Sequence, residues 1–333
     1  MRFGLERAAD RWKASPGGFQ IATLDDHGLE EVHCGFASPE TAISSNTVFN
    51  VYCALKPVLL LGAAFECESR LGDSVFEHCL QHDDETTVRD VLAHRAGLEN
   101  PGALEYLGSS SQARDRFAKS SQPTCRRQSY SEVSAVWALG RLAKGLTGRS
   151  IEVITADILR SLGLSNQLFH SRPPHSMIEC IGCTYELESS IPFLHEMLPD
   201  VYTSSAWNVL GGYASASGLA RWYGFLRKAL DGIALPGFPR LPRAFNFSRP
   251  REFDPVLRRE ARFEMGLMTD LAQILGMSSS RRLVGHFGLR FGSIGLLDLD
   301  SGVAIGAIAT APSWESNITL EFWKDIIHEV LPD

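Results

Sequence analysis

Three short apolar runs near the C-terminal end limit the possible folds most: "LVGHFG" (283–288), "FGSIGLLDLD" (291–300) and "GVAIGAIAT" (302–310). Each has the length and residue types of a strand, and an Asp-Ser-Gly turn at 300–302 joins the last two into an antiparallel pair. Near the other end of the chain, "GFQIATLDDHGLEEVHCGFA" (18–37) alternates around a polar Asp-Asp-His-Gly turn and reads as a hairpin. An open antiparallel sheet built from both chain ends is therefore expected.

The middle of the chain follows a different period. Leu55, Val58, Leu59, Gly62 and Phe65 recur near helical spacing, which predicts a helix over 54–71, with Gly72 as its stop. "TTVRDVLAHRAGLENP" predicts a second helix, N-capped by Thr86 or Thr87 and ended by Gly97 and Pro101. Further helices are expected over 1–14, 131–147, 150–162, 217–230 and in "ESNITLEFWKDIIHEVL" near the C-terminal end. The Pro-, Arg- and Phe-rich stretch 236–258 reads as a surface loop. Strands at both ends with helices between them give an α+β class, not an alternating β-α-β one. One unit over 1–333 is expected, with an α/β subdomain from about 1–75 and 270–333 and a helical subdomain over about 76–269 that has its own core.

Composition excludes several partners. The chain has 333 residues, 44% hydrophobic and 21% charged, and a net charge of −7 without a basic block, so nucleic acid is not an expected partner. No window reaches the length of apolar sequence needed to span a membrane. The N-terminal stretch lacks the apolar core of a signal peptide, so a cytoplasmic protein is expected, or one whose leader has been removed. Seven scattered cysteines form no even framework and read as free thiols. Cys180 and Cys183 form one C-x-x-C, but His170 and His175 ahead of it are a poor match to zinc-ligand spacing, so neither metal nor cofactor is expected.

The chemistry concentrates in "VFNVYCALKP" (48–57). Cys53 and Lys56 lie three residues apart at the predicted helix start and share a face. The helix N-terminus favours an anion, and Lys56 adds a positive charge one turn away. That pair has the makings of an activated nucleophile. The same two residues are also compatible with a buried thiol beside a snorkelling lysine.

Around this pair the sequence resembles the serine β-lactamase and penicillin-binding-protein superfamily, in its class C β-lactamase, esterase and lovastatin-type acyltransferase branch. The segment from Phe49 to Pro57 is similar to that family's Ser-x-x-Lys motif, with Cys53 in the Ser position and Lys56 in the Lys position. "TTVRDVLAHRAGL", "QSYSEVSAVWALGRLAKGLTGRS", "GGYASASGLARW" and "GHFG" resemble four further family segments in the family's order. The resemblance implies a β-lactamase-like fold. It implies Cys53 as acyl-accepting nucleophile and Lys56 and Tyr130 as proton shuttles. The backbone N–H groups of Cys53 and Leu289, which follows Gly288, would form an oxyanion hole, and His286 would line the pocket beside Tyr130.

The departures from the family pattern shift the expected activity. Glu132 stands where the family has Asn, Gly218 where it has Asp, and Pro57 follows the lysine. An ionised Glu132 only accepts hydrogen bonds. It would keep Lys56 protonated or receive a cationic or hydroxyl-bearing substrate. A cysteine forms a thioester, and thioesters acylate amines readily relative to water. The expected activity is therefore acyl transfer from a thioester donor, on an acyl carrier protein or coenzyme A, to an amine or hydroxyl of a small molecule in secondary metabolism. A hydrolase (esterase, thioesterase or amidase) and a non-catalytic binding protein are the alternatives.

Overall fold

The computed structural model describes residues 5–7, 10, 18–38, 41–71, 75–80, 83–98, 127–131, 133–170, 173, 181–182, 211–241, 245, 247–278, 280–288, 292–309 and 316–331. The expected hairpin is present: β1 (Phe19–Asp25) and β2 (Gly28–Cys34) pair antiparallel. The Asp25 carboxylate closes the turn by accepting the N–H groups of His27 and Gly28. Next come β3 (Val48–Asn50), a 3₁₀ turn (Tyr52–Leu55) and α1 (Lys56–Leu71). Then follow α2 (Val88–Leu92), α3 (Ser134–Thr147), α4 (Ile151–Ser161), β4 (Tyr213–Ala214) and α5 (Ala216–Leu230). The remaining elements are β5 (Glu252–Asp254), β6 (Arg259–Ala261), β7 (Phe263–Glu264), β8 (Leu267–Met268), β9 (Leu283–Phe287), β10 (Ser293–Asp298), β11 (Ala304–Ala309) and α6 (Ser316–Val330).

The main sheet runs β7-β8-β9-β10-β11-β1-β2 and is antiparallel throughout. Its centre joins the two chain ends: β1 pairs with β11 in the register Phe19↔Ala309 to Leu24↔Ala304. Strands β9 to β11 are buried on both faces, because helices cover each side. On one side Phe19, Ile21, Leu296 and Ile305 pack with Phe322, Trp323, Ile326 and Ile327 of α6. On the other, Ala22, Leu297 and Ile308 join a core shared with α1, α3, α4 and α5. The apolar cluster beneath the middle helices is thus continuous with one face of the sheet.

Three expectations need correction. The helix after Thr87 is short. Thr87 and Asp90 form a capping box, but the helix ends at Leu92, and His94 turns into the left-handed region at φ 52. The stretch 236–258 is not wholly a surface loop: Phe238 and Phe245 are buried, and its end forms the β5–β6 hairpin, in which Asp254 faces Arg259. The first turn of the helix expected over 54–71 is 3₁₀, and Cys53 lies within that turn rather than at the start of α1. Helical residues are described only at 5–7 and 10 of the expected N-terminal helix, and Cys125, Cys180 and Cys183 lie outside the described residues. Cys34, Cys53, Cys67 and Cys79 carry thiols that are in no disulfide. Among the described residues no helix is long and apolar enough to cross a membrane, and no group of three or more His, Cys, Asp or Glu could hold a metal ion.

Candidate active site

Cys53 is held by backbone on several sides. Tyr52, just before it, has φ 46, a left-handed conformation that costs a non-glycine residue about 1–3 kcal/mol. The surroundings hold that turn in place. The Asn50 Oδ1 accepts the Tyr52 N–H at 3.1 Å, and the Val51 N–H donates to Gly212 O at 2.9 Å. Ser293, on β10, donates its hydroxyl to Val51 O at 2.9 Å. Gly211 and Gly288 are fixed by close approach. A Cβ at Gly211 would lie 2.1 Å from Tyr52 O, and one at Gly288 would lie 2.6 Å from Val51 O. The end of β9 therefore abuts the segment that carries Cys53.

The turn itself is closed by Ala54 N–H to Val51 O and by Lys56 N–H to Cys53 O. Lys56 is fully buried, yet its Nζ donates to Cys53 Sγ at 2.8 Å. The i, i+3 spacing read from the sequence thus becomes a direct nitrogen–sulfur contact. Cys53 is partly exposed, whereas Lys56 is not.

Tyr130 is buried against the same lysine, with Lys56 Nζ 5.4 Å from its ring centroid. The ring stacks on Phe263 at 5.5 Å and lies 4.9 Å from His94 and 5.6 Å from His286. Its backbone N–H donates to Asp254 Oδ2 at 2.6 Å, and Asp254 is fully buried in the β5–β6 hairpin. Cys53, Lys56, Tyr130, His286 and Gly288 of the sequence expectation thus converge on one site. Glu132 and Leu289 lie outside the described residues.

The sequence reading did not single out His94, Asp254 or Ser293. His94 accepts the Ser131 N–H on Nδ1 at 3.0 Å, and its carbonyl accepts the Ser129 N–H at 2.9 Å, so it clamps the segment that carries Tyr130. With Nδ1 accepting, the proton of the neutral ring is on Nε2. His286 has the opposite tautomer. Its Nδ1 lies 2.7 Å from Phe287 O, and a carbonyl can only accept, so Nδ1 carries the proton. Both rings are held neutral. Burial, then the repulsion that a second proton on the His286 ring and Lys56 would exert, push His94 well below its ordinary value. Burial, then Lys56, bring His286 down to about 3 against the counter-effect of its bond to Phe287 O. The Tyr130 ring thus lies between two neutral imidazoles and Lys56, and Lys56 in turn meets Cys53 Sγ.

Three solved structures share this fold across nearly their whole length. A penicillin-binding protein homologue from Caulobacter crescentus is 17% identical with a TM-score of 0.70, covering 98% of this chain and 97% of its own. A family VIII carboxylesterase is 17% identical with a TM-score of 0.66 over 96% of this chain and 95% of its own. The D-amino acid amidase from Ochrobactrum anthropi SV3 is 15% identical with a TM-score of 0.66 over 99% of this chain and 98% of its own. No curated protein sequence matches the chain. The beta-lactamase family model matches residues 7–324, and with that span and this fold the chain belongs to the beta-lactamase family.

Proposed function

We propose that the protein is an acyltransferase whose nucleophile is Cys53, moving an acyl group from a thioester donor to an amine or hydroxyl of a small molecule. The observation that carries this reading is the 2.8 Å contact from buried Lys56 Nζ to the partly exposed Cys53 Sγ. An ammonium donating to sulfur stabilises a thiolate, which is the nucleophilic form of cysteine. The thiolate attacks the donor carbonyl, and the backbone N–H groups of Cys53 and Leu289 receive the developing oxyanion. The donor's sulfur leaves with its electron pair and takes a proton relayed by Lys56 and Tyr130. The acceptor then attacks the acyl-Cys53 carbonyl and passes its proton back along the same pair. The product is an amide or ester, and Cys53 is regenerated. A carrier-protein or coenzyme A thioester is the donor in this reading, Glu132 keeps Lys56 protonated, and no cofactor takes part. Secondary metabolism in the cytoplasm is the setting.

Hydrolysis is the second reading. It is favoured by the fold shared with a carboxylesterase and a D-amino acid amidase. Intact-protein mass spectrometry after mixing with an activated acyl thioester tests the nucleophile. One adduct on the Cys53 peptide is expected, lost in Cys53→Ala, and an adduct on another cysteine overturns the mechanism. Adding an amine acceptor then separates the two readings: amide product supports transfer, and free acid at an undiminished rate supports hydrolysis.

A further inference from the structure

The Cys53–Lys56 contact has a second chemistry that acyl transfer does not use. Lys56 Nζ lies 2.8 Å from Cys53 Sγ, so no atom separates an amine nitrogen from a thiol sulfur. Both groups are held where they are. The turn between them is already closed by the Lys56 N–H donating to Cys53 O. Two residues ahead of Cys53, Val51 donates its N–H to Gly212 O and accepts the Ser293 hydroxyl, each at 2.9 Å. Lys56 is fully buried, which keeps its nitrogen away from water, whereas Cys53 is partly exposed.

A second cysteine, on α1, gives the contrast. Cys67 is fully buried, and burial, then the charge of Glu66, push its thiol up to about 12. A thiol kept protonated in apolar surroundings is inert towards oxidants. Cys53 instead has a nitrogen donor on its sulfur, which favours the thiolate, the form that a peroxide oxidises.

We propose that Cys53 and Lys56 are an oxidative modification site, at which hydrogen peroxide joins the two side chains through a reversible sulfur–nitrogen bond. In the first step the Cys53 thiolate attacks one peroxide oxygen, the O–O bond breaks, and the other oxygen leaves as hydroxide and is protonated to water. Cys53 is then a sulfenic acid, oxidised by two electrons, and the peroxide is reduced. In the second step the lone pair of the free Lys56 amine attacks the sulfur. The S–O bond breaks, and the departing hydroxide takes a proton from the nitrogen to become a second water. One thiol, one amine and one peroxide thus give one sulfenamide and two waters. A sulfenic acid condenses in the same way with a backbone nitrogen, and here the lysine nitrogen is already in contact. The ring closes over a turn that is already formed, so little chain entropy is lost. A thiol reductant reverses the bond: one thiol attacks the Cys53 sulfur and releases the amine, and a second takes the first away as a disulfide. Formation of the bond needs only this geometry. Its effect on turnover rests on the acyl-transfer reading, because the bond occupies both Cys53 and Lys56.

Mass spectrometry of the full-length protein treated with a few equivalents of hydrogen peroxide tests this. The peptide that carries both residues is expected to lose two hydrogen masses. Its fragment ions from cleavage between Cys53 and Lys56 should vanish, because the ring holds the pieces together. Dithiothreitol should restore both. In Lys56→Met the same treatment should leave Cys53 as a sulfenic acid trapped by dimedone, or as a sulfinic acid. The wild-type measurement stands without that variant. Wild-type Cys53 found unmodified, as a sulfinic acid, or in a disulfide with another cysteine overturns the proposal. On the same samples, acylation of Cys53 by an activated thioester should fall in proportion to the cross-linked fraction and return with dithiothreitol. A cross-link in a protein whose reduced form is never acylated would keep the modification site and discard the acyl-transfer reading.

Discussion

At the scale of single residues, the site sets a partly exposed Cys53 against a fully buried Lys56. Lys56 donates to Cys53 Sγ and lies over the Tyr130 ring. Tyr130→Phe keeps the ring that packs on Phe263 and His94 and removes only the hydroxyl. Turnover should fall by about 10²–10⁴-fold, as for other losses of acid–base catalysis, with the urea midpoint little changed. Wild-type turnover would leave Tyr130 a packing role only. This part of the site was legible in the sequence because Cys53 and Lys56 are neighbours along one turn, and a period of three or four residues is visible without a fold. His94 and Asp254 were not legible. His94 reaches Ser131 and Asp254 reaches Tyr130 only through tertiary structure, and no local pattern marks a histidine whose ring nitrogen accepts a distant N–H.

At the scale of elements, the β5–β6 hairpin decides where Tyr130 sits. Glu252 and Asp254 are two apart on β5 and project to one side. They accept the N–H groups of Gln128 and Tyr130, also two apart, at 3.3 and 2.6 Å. Arg95, next to His94, is paired with Glu252 and ties the hairpin to the turn after α2. Side chains thus do for residues 128–130 what a neighbouring strand's carbonyls do in a sheet. In Asp254→Asn only one oxygen remains to accept three N–H groups. A loss of about 1–3 kcal/mol in urea unfolding is expected, with a fall in kcat at least as large as that from a simple loss of folded protein. Unchanged kcat in the folded variant would separate the hairpin from catalysis. The sequence concealed this hairpin. Its strands are three residues long, and its Arg, Pro and Glu content follows no alternation, so it reads as loop. Strands β9 to β11 were legible as continuous apolar runs, and helices α3, α4 and α5 because their burial follows one period over many residues.

At the scale of the whole molecule, two neutral histidines buried beside a lysine make stability depend on pH. Unfolded, each takes a proton near its ordinary value of about 6.5. Folded, His286 does so only at about 3, and His94 is also held well below its ordinary value. Between those limits the unfolded state binds more protons, so stability is full above about pH 6.5 and is lost as pH falls. Each histidine contributes a slope of up to about 1.4 kcal/mol per pH unit in this window. Urea midpoints measured between pH 7 and 5 should decline steadily, and His286→Asn should flatten the decline. An unchanged slope in that variant would mean that His286 is protonated in the folded protein.

The pairing of β1 with β11 gives synthesis an order of events. On the ribosome, the Cys53–Lys56 segment emerges long before β9 and β10, which supply Gly288 and Ser293 at Val51. Until the last strands arrive, β1 lacks its central partner, and the left-handed turn at Tyr52 lacks the hydroxyl and the strand end that brace it. The thiol is therefore assembled into its site only once β9 to β11 have been made, and contacts that span the sequence this widely close slowly. A polypeptide stopped before β9 carries Cys53 and Lys56 without the β9–β10 wall beside them, which ties the geometry of this pair to the finished sheet rather than to the motif.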